Sequence, residues 1–167
     1  MEYVSYPTLQ ITQQKTYLYS AMFVIGNILL PQLCHLVPQG GLMLLPIYFF
    51  TLVGAYCYGI NLGLLTAVLS PVVNSMLFGM PPAAALPAIL VKSVSLAVVA
   101  SYVAHRSQRV SIGLLALVVV AYQLVGMAFE YVYTGSLYAA LQDVRLGIPG
   151  LLMQVLLGYV FIKKISK

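Results

Sequence analysis

Six long apolar runs, separated by short stretches rich in polar residues, Gly or Pro, form the pattern of this chain. Each run approaches the roughly 20 apolar residues that a helix needs to cross a bilayer. The runs are continuously apolar and do not alternate with a period of two, which disfavours the strands of a membrane β-barrel. They predict six transmembrane helices, over residues 16–34, 41–58, 60–78, 84–105, 110–133 and 148–163.

Composition strengthens the prediction of a membrane protein. Hydrophobic residues make up 62% of the 167 residues and charged residues only 7%, whereas soluble domains carry about 25% charged residues. A soluble domain of this size could not bury so much apolar surface, and a disordered chain would need far more charge. We therefore expect an all-α, polytopic membrane protein. Residues 1–167 would form one six-helix domain, with residues 1–14 as a surface arm.

The basic residues predict how the spans are oriented. Short loops rich in Lys and Arg stay in the cytoplasm. With six spans, most cations fall on the side that holds both termini, namely Lys15, Arg106, Arg109, Lys163, Lys164 and Lys167. Arg145 falls on the opposite side and Lys92 lies inside a span. The charges therefore predict that both termini are cytoplasmic, with outer loops at 34–41, 79–83 and 134–147. A basic excess at membrane boundaries also argues against nucleic-acid binding.

Polar side chains are concentrated in the outer halves of the predicted spans. Polar groups inside a membrane are costly and usually face the bundle interior or a cavity. The residues concerned are Asn27, Asn74, Lys92, Gln123, Glu130 and Gln154. This gradient predicts a ligand cavity that is open to the outside and closed towards the cytoplasm. The alternative for any single amide is a hydrogen bond that holds two helices together.

Lys92 is the most informative of these residues. A Lys at the centre of a membrane helix costs roughly 2.5–3.5 kcal/mol on insertion scales, so a partner should offset its charge. Glu130 is the one carboxylate that the predicted spans contain, and a Lys stem can reach several ångströms towards it. Lys92 would then either meet an anionic group of a ligand, such as a carboxylate, or form a purely structural pair.

Two further candidates lie at the outer mouth. His35 follows Cys34 directly, and this pair could ligate a metal or the cobalt of a corrinoid; the alternative is an ordinary histidine in a surface loop. Tyr131 could stack on a ligand or belong to the interfacial belt of aromatic residues. Cys34 and Cys57 fall at opposite ends of their spans, so we expect no disulfide between them.

Motifs for catalysis are missing from the sequence. No G-x-x-x-x-G-K-[ST] loop is present, so we expect no ATP hydrolysis by this chain, and no H-E-x-x-H zinc motif occurs either. The acidic residues are only Glu2, Glu130 and Asp143. We therefore expect that the protein is not an enzyme and that it has no cofactor of its own.

Several short motifs resemble one family of membrane proteins, the substrate-binding S-components of energy-coupling-factor (ECF) vitamin transporters. The resemblance covers nearly the whole chain. It rests on six short spans and on the segments Leu44-Leu45-Pro46, Gly59-Ile60-Asn61-Leu62-Gly63-Leu64-Leu65, Ser70-Pro71, Phe78-Gly79-Met80-Pro81 and Gly147-Ile148-Pro149-Gly150 with Gln154. Such a protein captures a vitamin from outside and docks on a transmembrane T-component coupled to two ATPase subunits.

The resemblance also implies where a ligand and a partner would bind. Ligand contacts would come from the loops at 37–42, which includes Gln39, and 78–82, together with Lys92, Glu130, Tyr131 and Gln154. Many S-components dock through an Ala-x-x-x-Ala motif on the first span. Here Ala21 is followed four residues later by Ile25, so docking would use Ala21 with the nearby Ser20 and Gly26.

Two other interpretations stay open at this point. A six-span structural scaffold of the cell-shape machinery has a similar layout and needs no ligand. The other interpretation is an S-component that binds a corrinoid through Cys34 or His35.

Overall fold

The computed structural model describes residues 6–166, and within this range it contains helices and no strand. The helices are α1 (Gln14–Cys34), α2 (Gly40–Leu44), the 3-10 turn Pro46–Tyr48, α3 (Phe49–Tyr58), α4 (Ile60–Phe78), α5 (Leu86–Ser107), α6 (Ile112–Thr134), α7 (Leu137–Ala140), α8 (Gln142–Leu146) and α9 (Ile148–Ile165).

Five of the predicted spans are single helices long and apolar enough to cross a membrane, namely α1, α4, α5, α6 and α9. Their outward faces carry many large exposed apolar side chains, such as Leu18, Val132 and Leu156. Exposed apolar surface on this scale marks contact with lipid or with another protein. The chain is therefore an all-helical, multi-pass membrane protein.

The prediction of one continuous second span over residues 41–58 is wrong. α2 ends at Leu44, and Leu45 has a left-handed backbone with φ of 46°. Pro46 follows and has no N–H group to continue a helical ladder. The remaining α3 has ten residues, about 15 Å at 1.5 Å per residue, so it is shorter than the hydrocarbon core. A count of apolar residues does not detect this break because Leu45 and Pro46 are themselves apolar.

The short helix α3 forms the centre of the bundle. Eight of its residues are buried, including Leu52, Ala55 and Tyr56 at 0% exposure, and it packs against α1, α4, α5 and α9. Gly54 and Gly63 permit the close approach of α3 and α4, since a Cβ on Gly63 would overlap Ala55. A helix that is apolar on every side suits either a protein core or a membrane span, and packing against four other helices places α3 in the core.

Residues 134–147, predicted as an outer loop, contain the two short helices α7 and α8. Ser136 caps α7 by accepting a hydrogen bond from Ala139 N–H. α7 packs on α6, whereas α8 contacts α2 and α9. This segment therefore covers one end of the bundle.

The N-terminal arm packs against the turn between α3 and α4. Leu9 N–H donates to the Tyr58 carbonyl at 3.0 Å, and Asn61 Nδ2 donates to the Leu9 carbonyl at 2.9 Å. Tyr56 Oη donates to the Arg109 carbonyl at 2.7 Å, which brings the α5–α6 turn to the same end. Residues 1–5 of the predicted arm, and Lys167 of the predicted basic set, lie outside the described residues.

Candidate functional site

A buried ion triad joins α5, α6 and α8. Lys92 Nζ lies 2.6 Å from Glu130 Oε2 and 2.9 Å from Asp143 Oδ2. The Lys92 side chain is 3% exposed, Glu130 18% and Asp143 11%. The predicted pair of Lys92 with Glu130 is confirmed, and Asp143 is a second partner.

The helix positions explain how the triad is assembled. Gly126 and Glu130 are four residues apart, so they lie on the same face of α6. A Cβ at position 126 would overlap the Lys92 stem. The glycine therefore leaves the space that this stem needs to reach Glu130. Asp143 lies on α8, and its bond to Lys92 fastens the α7–α8 segment to the long helices.

Asp143 is the site residue that sequence reasoning missed. It falls in the predicted outer loop at 134–147, where a carboxylate needs no partner within the protein. The small number of acidic residues could have identified it. The chain has three of them, and a buried Lys needs a counter-charge. With all three groups ionised, one positive and two negative charges leave the triad at a net charge of −1.

A chain of polar side chains lies deeper in the same region. Gln123 Nε2 donates to Tyr122 Oη at 3.1 Å, and Tyr122 Oη donates to Gln154 Oε1 at 2.9 Å. All three residues are at most 3% exposed. Two amide atoms at the ends of this chain, Gln123 Oε1 and Gln154 Nε2, have no hydrogen-bond partner among the described residues.

Asn27 and Asn74 belong to a separate network between α1, α3 and α4. Asn27 Nδ2 donates to Thr51 Oγ1 at 3.0 Å and to Ser70 Oγ at 3.1 Å, and its Oδ1 accepts from Phe50 N–H. Asn74 Nδ2 donates to the Asn27 carbonyl at 3.0 Å. These contacts match the alternative in which the amides hold helices together. Their role towards a ligand stays a prediction.

The candidates at the outer mouth differ from the triad in burial. His35, Gln39 and Tyr131 are exposed, and the His35 ring lies against Gly41. Cys34 is buried, so it does not share one open face with His35; Cys34 and Cys57 are both free thiols. Within residues 6–166, no group of three or more His, Cys, Asp or Glu side chains could hold a metal ion.

The residues predicted to dock a partner differ in exposure. Ser20 is buried at 3%, whereas Ala21 is exposed. Gly26 lies against the Phe50 ring, where a Cβ would come within 2.8 Å of two ring carbons. Gly26 therefore has an internal packing role, and Ala21 is the member of the set that faces outwards.

An apolar cavity of about 150 Å³ lies between α1, α3 and α9. Leu44 and Pro46 border it at the end nearest α2, and Phe49 and Phe50 line it from α3. The other lining residues are Leu30 and Cys34 of α1, and Gly150, Met153, Gln154, Leu157 and Phe161 of α9. Gln154 is 1% exposed and its amide nitrogen is buried, so the wall that the cavity presents is apolar.

Fold and site together define a multi-pass helical membrane protein with a buried, unbalanced ion triad at one end of its bundle. Comparison of the chain with protein-family models, with curated proteins and with solved structures gave no match.

Proposed function

We propose that this protein is the membrane-embedded substrate-binding subunit of an ECF-type transporter, which captures a vitamin-like micronutrient from outside the cell. The observation that carries the proposal is the Lys92–Glu130–Asp143 triad beneath the α7–α8 segment. Ionisable groups within membrane spans are rare and usually mark a ligand or ion pathway. A bundle that only had to hold its shape could replace such a triad with apolar residues at little cost or some gain in stability.

The charge of the triad bears on the class of ligand. Lys92 alone favoured a carboxylate ligand, such as a pantothenate-, biotin- or folate-like compound. With Asp143 also bound to Lys92, an approaching anion would meet a net charge of −1 in a region of low dielectric constant, where like charges repel strongly. We therefore extend the proposal to a ligand whose polar end is neutral or cationic.

The proposed orientation places both termini in the cytoplasm of a bacterial inner membrane. The cations at positions 15, 106, 109, 163 and 164 are exposed and lie at helix ends or turns that the six-span arrangement puts on the side of the termini, where the positive-inside rule expects them. The sixth crossing would be made by α2, the 3-10 turn and α3 together. Broken helices are tolerated at membrane depth where protein surrounds them, and α3 is surrounded.

The proposed partners are a transmembrane T-component and ATPase subunits. The sequence contains no phosphate-binding loop, so energy would have to come from another chain. The exposed Ala21 side chain on α1 offers a small residue for close helix contact, in the manner of other membrane helix pairs.

Native mass spectrometry of the protein, purified in mild detergent from cells grown in rich medium, tests this function. We expect the intact protein to carry a small-molecule adduct. Asp143→Asn should raise the Kd of a ligand with a neutral or cationic polar end about tenfold, because a hydrogen bond or charge at the site is worth about 1.4 kcal/mol, and the occupancy of the adduct should fall with it. Arg145→Gln, two residues away on the same short helix, is the matched control and should keep the adduct.

Absence of any adduct from the wild-type protein would contradict capture of a ligand and favour the scaffold. The cavity between α1, α3 and α9, at about 150 Å³, is by itself smaller than the 300–1,000 Å³ usual for ligand pockets. The buried polar chain of Tyr122, Gln123 and Gln154 is an argument against a ligand-free bundle.

A further inference from the structure

Exposed cations on three different helices lie at the end of the bundle that is opposite the triad. Each is in the first or last turn of a helix long and apolar enough to cross a membrane. We call this set the basic collar. Its members are Lys15 of α1, Arg106 of α5, and Lys163 and Lys164 of α9.

No carboxylate side chain in residues 6–166 balances the basic collar. The acidic residues in that range are Glu130 and Asp143, and both bond to Lys92 in the triad. The printed neighbour of Lys163 is neutral, since its Nζ donates to Tyr159 Oη at 3.4 Å. The collar therefore presents positive charge for which the described chain supplies no counter-charge.

Contacts between the helices place these cations at one level of the bundle. A Cβ on Gly158 of α9 would lie 3.9 Å from Leu115, in the first turn of α6, so the end of α9 reaches the level of the α5–α6 turn. Tyr19 lies one turn after Lys15, and its ring centroid is 5.2 Å from that of Tyr58 at the end of α3. The α5–α6 turn is bonded to this same end of α3.

Exposed tyrosines mark this level as a membrane boundary. Tyr102 is 69% exposed and lies one turn before Arg106, on the side of the apolar span. Tyr17 is 52% exposed and follows Lys15 into α1. Tyrosine is enriched where membrane meets water, because its ring is apolar and its hydroxyl is polar. Cations just beyond these rings therefore lie at the depth of the lipid phosphate groups.

The helix dipole does not explain the basic collar. Cations are favoured at the C-terminal end of a helix, where Arg106, Lys163 and Lys164 lie. Lys15 is the second residue of α1, at the N-terminal end, where the dipole disfavours a positive charge. The members of the collar therefore share a depth in the membrane and not a position relative to the helix dipole.

The basic collar extends around the bundle. α1 contacts α4, α4 contacts α5, α5 contacts α6 and α6 contacts α9, while α3 is in the centre. The three helices that carry the collar are therefore spaced along the perimeter. A folded partner that covers one side would reach only part of the collar, whereas lipid head groups surround a membrane protein on every side.

We propose that the basic collar binds the phosphate groups of anionic phospholipids in the leaflet on the side of the termini. Each Lys or Arg near an anionic membrane surface adds attraction, and phosphate oxygens accept charge-assisted hydrogen bonds from ammonium and guanidinium groups. The inference does not depend on a transported ligand, because it follows from the charge and the depth of these side chains.

Native mass spectrometry of the delipidated protein in detergent tests this surface. The protein is given an equimolar mixture of phosphatidylglycerol, which is anionic, and phosphatidylcholine, which is zwitterionic, with identical acyl chains. The measured quantity is the ratio of phosphatidylglycerol adducts to phosphatidylcholine adducts. We expect a ratio of about five for the wild type, which is the gain that one nearby cation gives to an anionic lipid.

Two charge-removing variants should lower the ratio by different amounts. Substitution of all four collar cations by glutamine should bring it to about one. Lys163→Gln/Lys164→Gln should give an intermediate ratio, and this pair decides the question if the fourfold variant does not fold, as judged by circular dichroism. Lys163→Arg/Lys164→Arg keeps the charge and should keep the wild-type ratio.

Arg145→Gln is the control for loss of a positive charge elsewhere, because Arg145 is an exposed cation on α8, at the other end of the bundle. It should keep the wild-type ratio. A fall as large as that for Lys163→Gln/Lys164→Gln would show an effect of net charge and overturn the proposal. A preference that survives loss of the collar cations would overturn it as well. A wild-type ratio of about one would also do so, and would leave an acidic partner protein as the counterpart of these cations.

Discussion

At the scale of single residues, the triad shows how one buried cation is satisfied. Lys92 Nζ makes two short contacts, to Glu130 at 2.6 Å and to Asp143 at 2.9 Å. The Lys92 stem passes over Gly126, where any larger residue would obstruct it. Because breaking a buried ion pair leaves an uncompensated charge, the three members should differ sharply in their tolerance of substitution.

Lys92→Met should be the most damaging change in the triad. It leaves two carboxylates close together without a cation, at a cost of about 3–5 kcal/mol, which corresponds to a fall in Tm of about 6–20 °C. Asp143→Asn should cost far less, about 1 kcal/mol, because it keeps the Lys92–Glu130 pair and removes the excess negative charge. Thermal unfolding followed by circular dichroism in one detergent measures both.

Arg145→Gln is again the control for a charge change on α8, and its Tm should stay within about 2 °C of the wild type, as for most exposed substitutions. If Asp143→Asn lowered Tm as much as Lys92→Met does, loss of one carboxylate would be as damaging as loss of the cation. That result would contradict the predicted order of the two variants.

At the scale of elements, the break between α2 and α3 depends on close backbone packing. Gly150, near the start of α9, lies directly against the backbone of Leu44 at the end of α2. Gly147, at the junction of α8 and α9, lies against the carbonyl of Asp143 and the side chain of Leu45. The two glycines therefore let α9 approach the break.

Gly150→Ala should destabilise the protein by about 1–3 kcal/mol. The new Cβ would overlap Leu44 backbone atoms, and backbone cannot rotate away as a flexible side chain can. Gly113→Ala in α6 is the matched control, since a Cβ there meets nothing within 4 Å. It should be neutral or stabilising by at most about 1 kcal/mol, because alanine is the better helix former.

The apparent Tm of each variant is measured in the same detergent and compared with that of the wild type. Equal effects of the two substitutions would contradict the close contact between α9 and α2.

At the scale of the whole molecule, the distribution of charge along the bundle defines its two ends. The triad lies near the end that α7 and α8 cover. At the opposite end, Lys15, Arg106 and Lys163 are near the ends of their helices and Arg109 lies in the turn between α5 and α6. The positive-inside rule then assigns that opposite end to the cytoplasm.

Cysteine labelling in intact cells tests this orientation. In a Cys34→Ala/Cys57→Ala background, Ala83→Cys and His105→Cys place single thiols at exposed positions that flank the two ends of α5. We expect a membrane-impermeant maleimide to label position 83 in intact cells and position 105 only after permeabilisation. The reverse pattern would invert the topology, and labelling of both positions in intact cells would contradict a membrane-spanning α5.

How much of the site could be predicted varies residue by residue. The pairing of Lys92 with Glu130 followed from scarcity and depth, because the cost of a charge in a membrane restricts its partners to a few candidates. Asp143 was missed because a carboxylate in a loop is ordinarily solvated, and hydropathy does not reveal that α8 folds back over the bundle. The amides were identified as buried groups, but sequence depth could not separate the Asn27 network from the Gln154 chain.

The sequence by itself determined that this is a helical membrane protein with a single cation deep in its spans, because the cost of exposing apolar surface to water, or of burying charge, depends only on residue type. Tertiary structure decided the rest. Leu45 and Pro46 break a run that is apolar throughout, α8 adds Asp143 to the triad, and packing leaves a cavity beside Gln154. These features depend on which helix surfaces pack together. The packing of helices that are far apart in the chain depends on the complementary shapes of their side chains, and hydropathy does not describe those shapes.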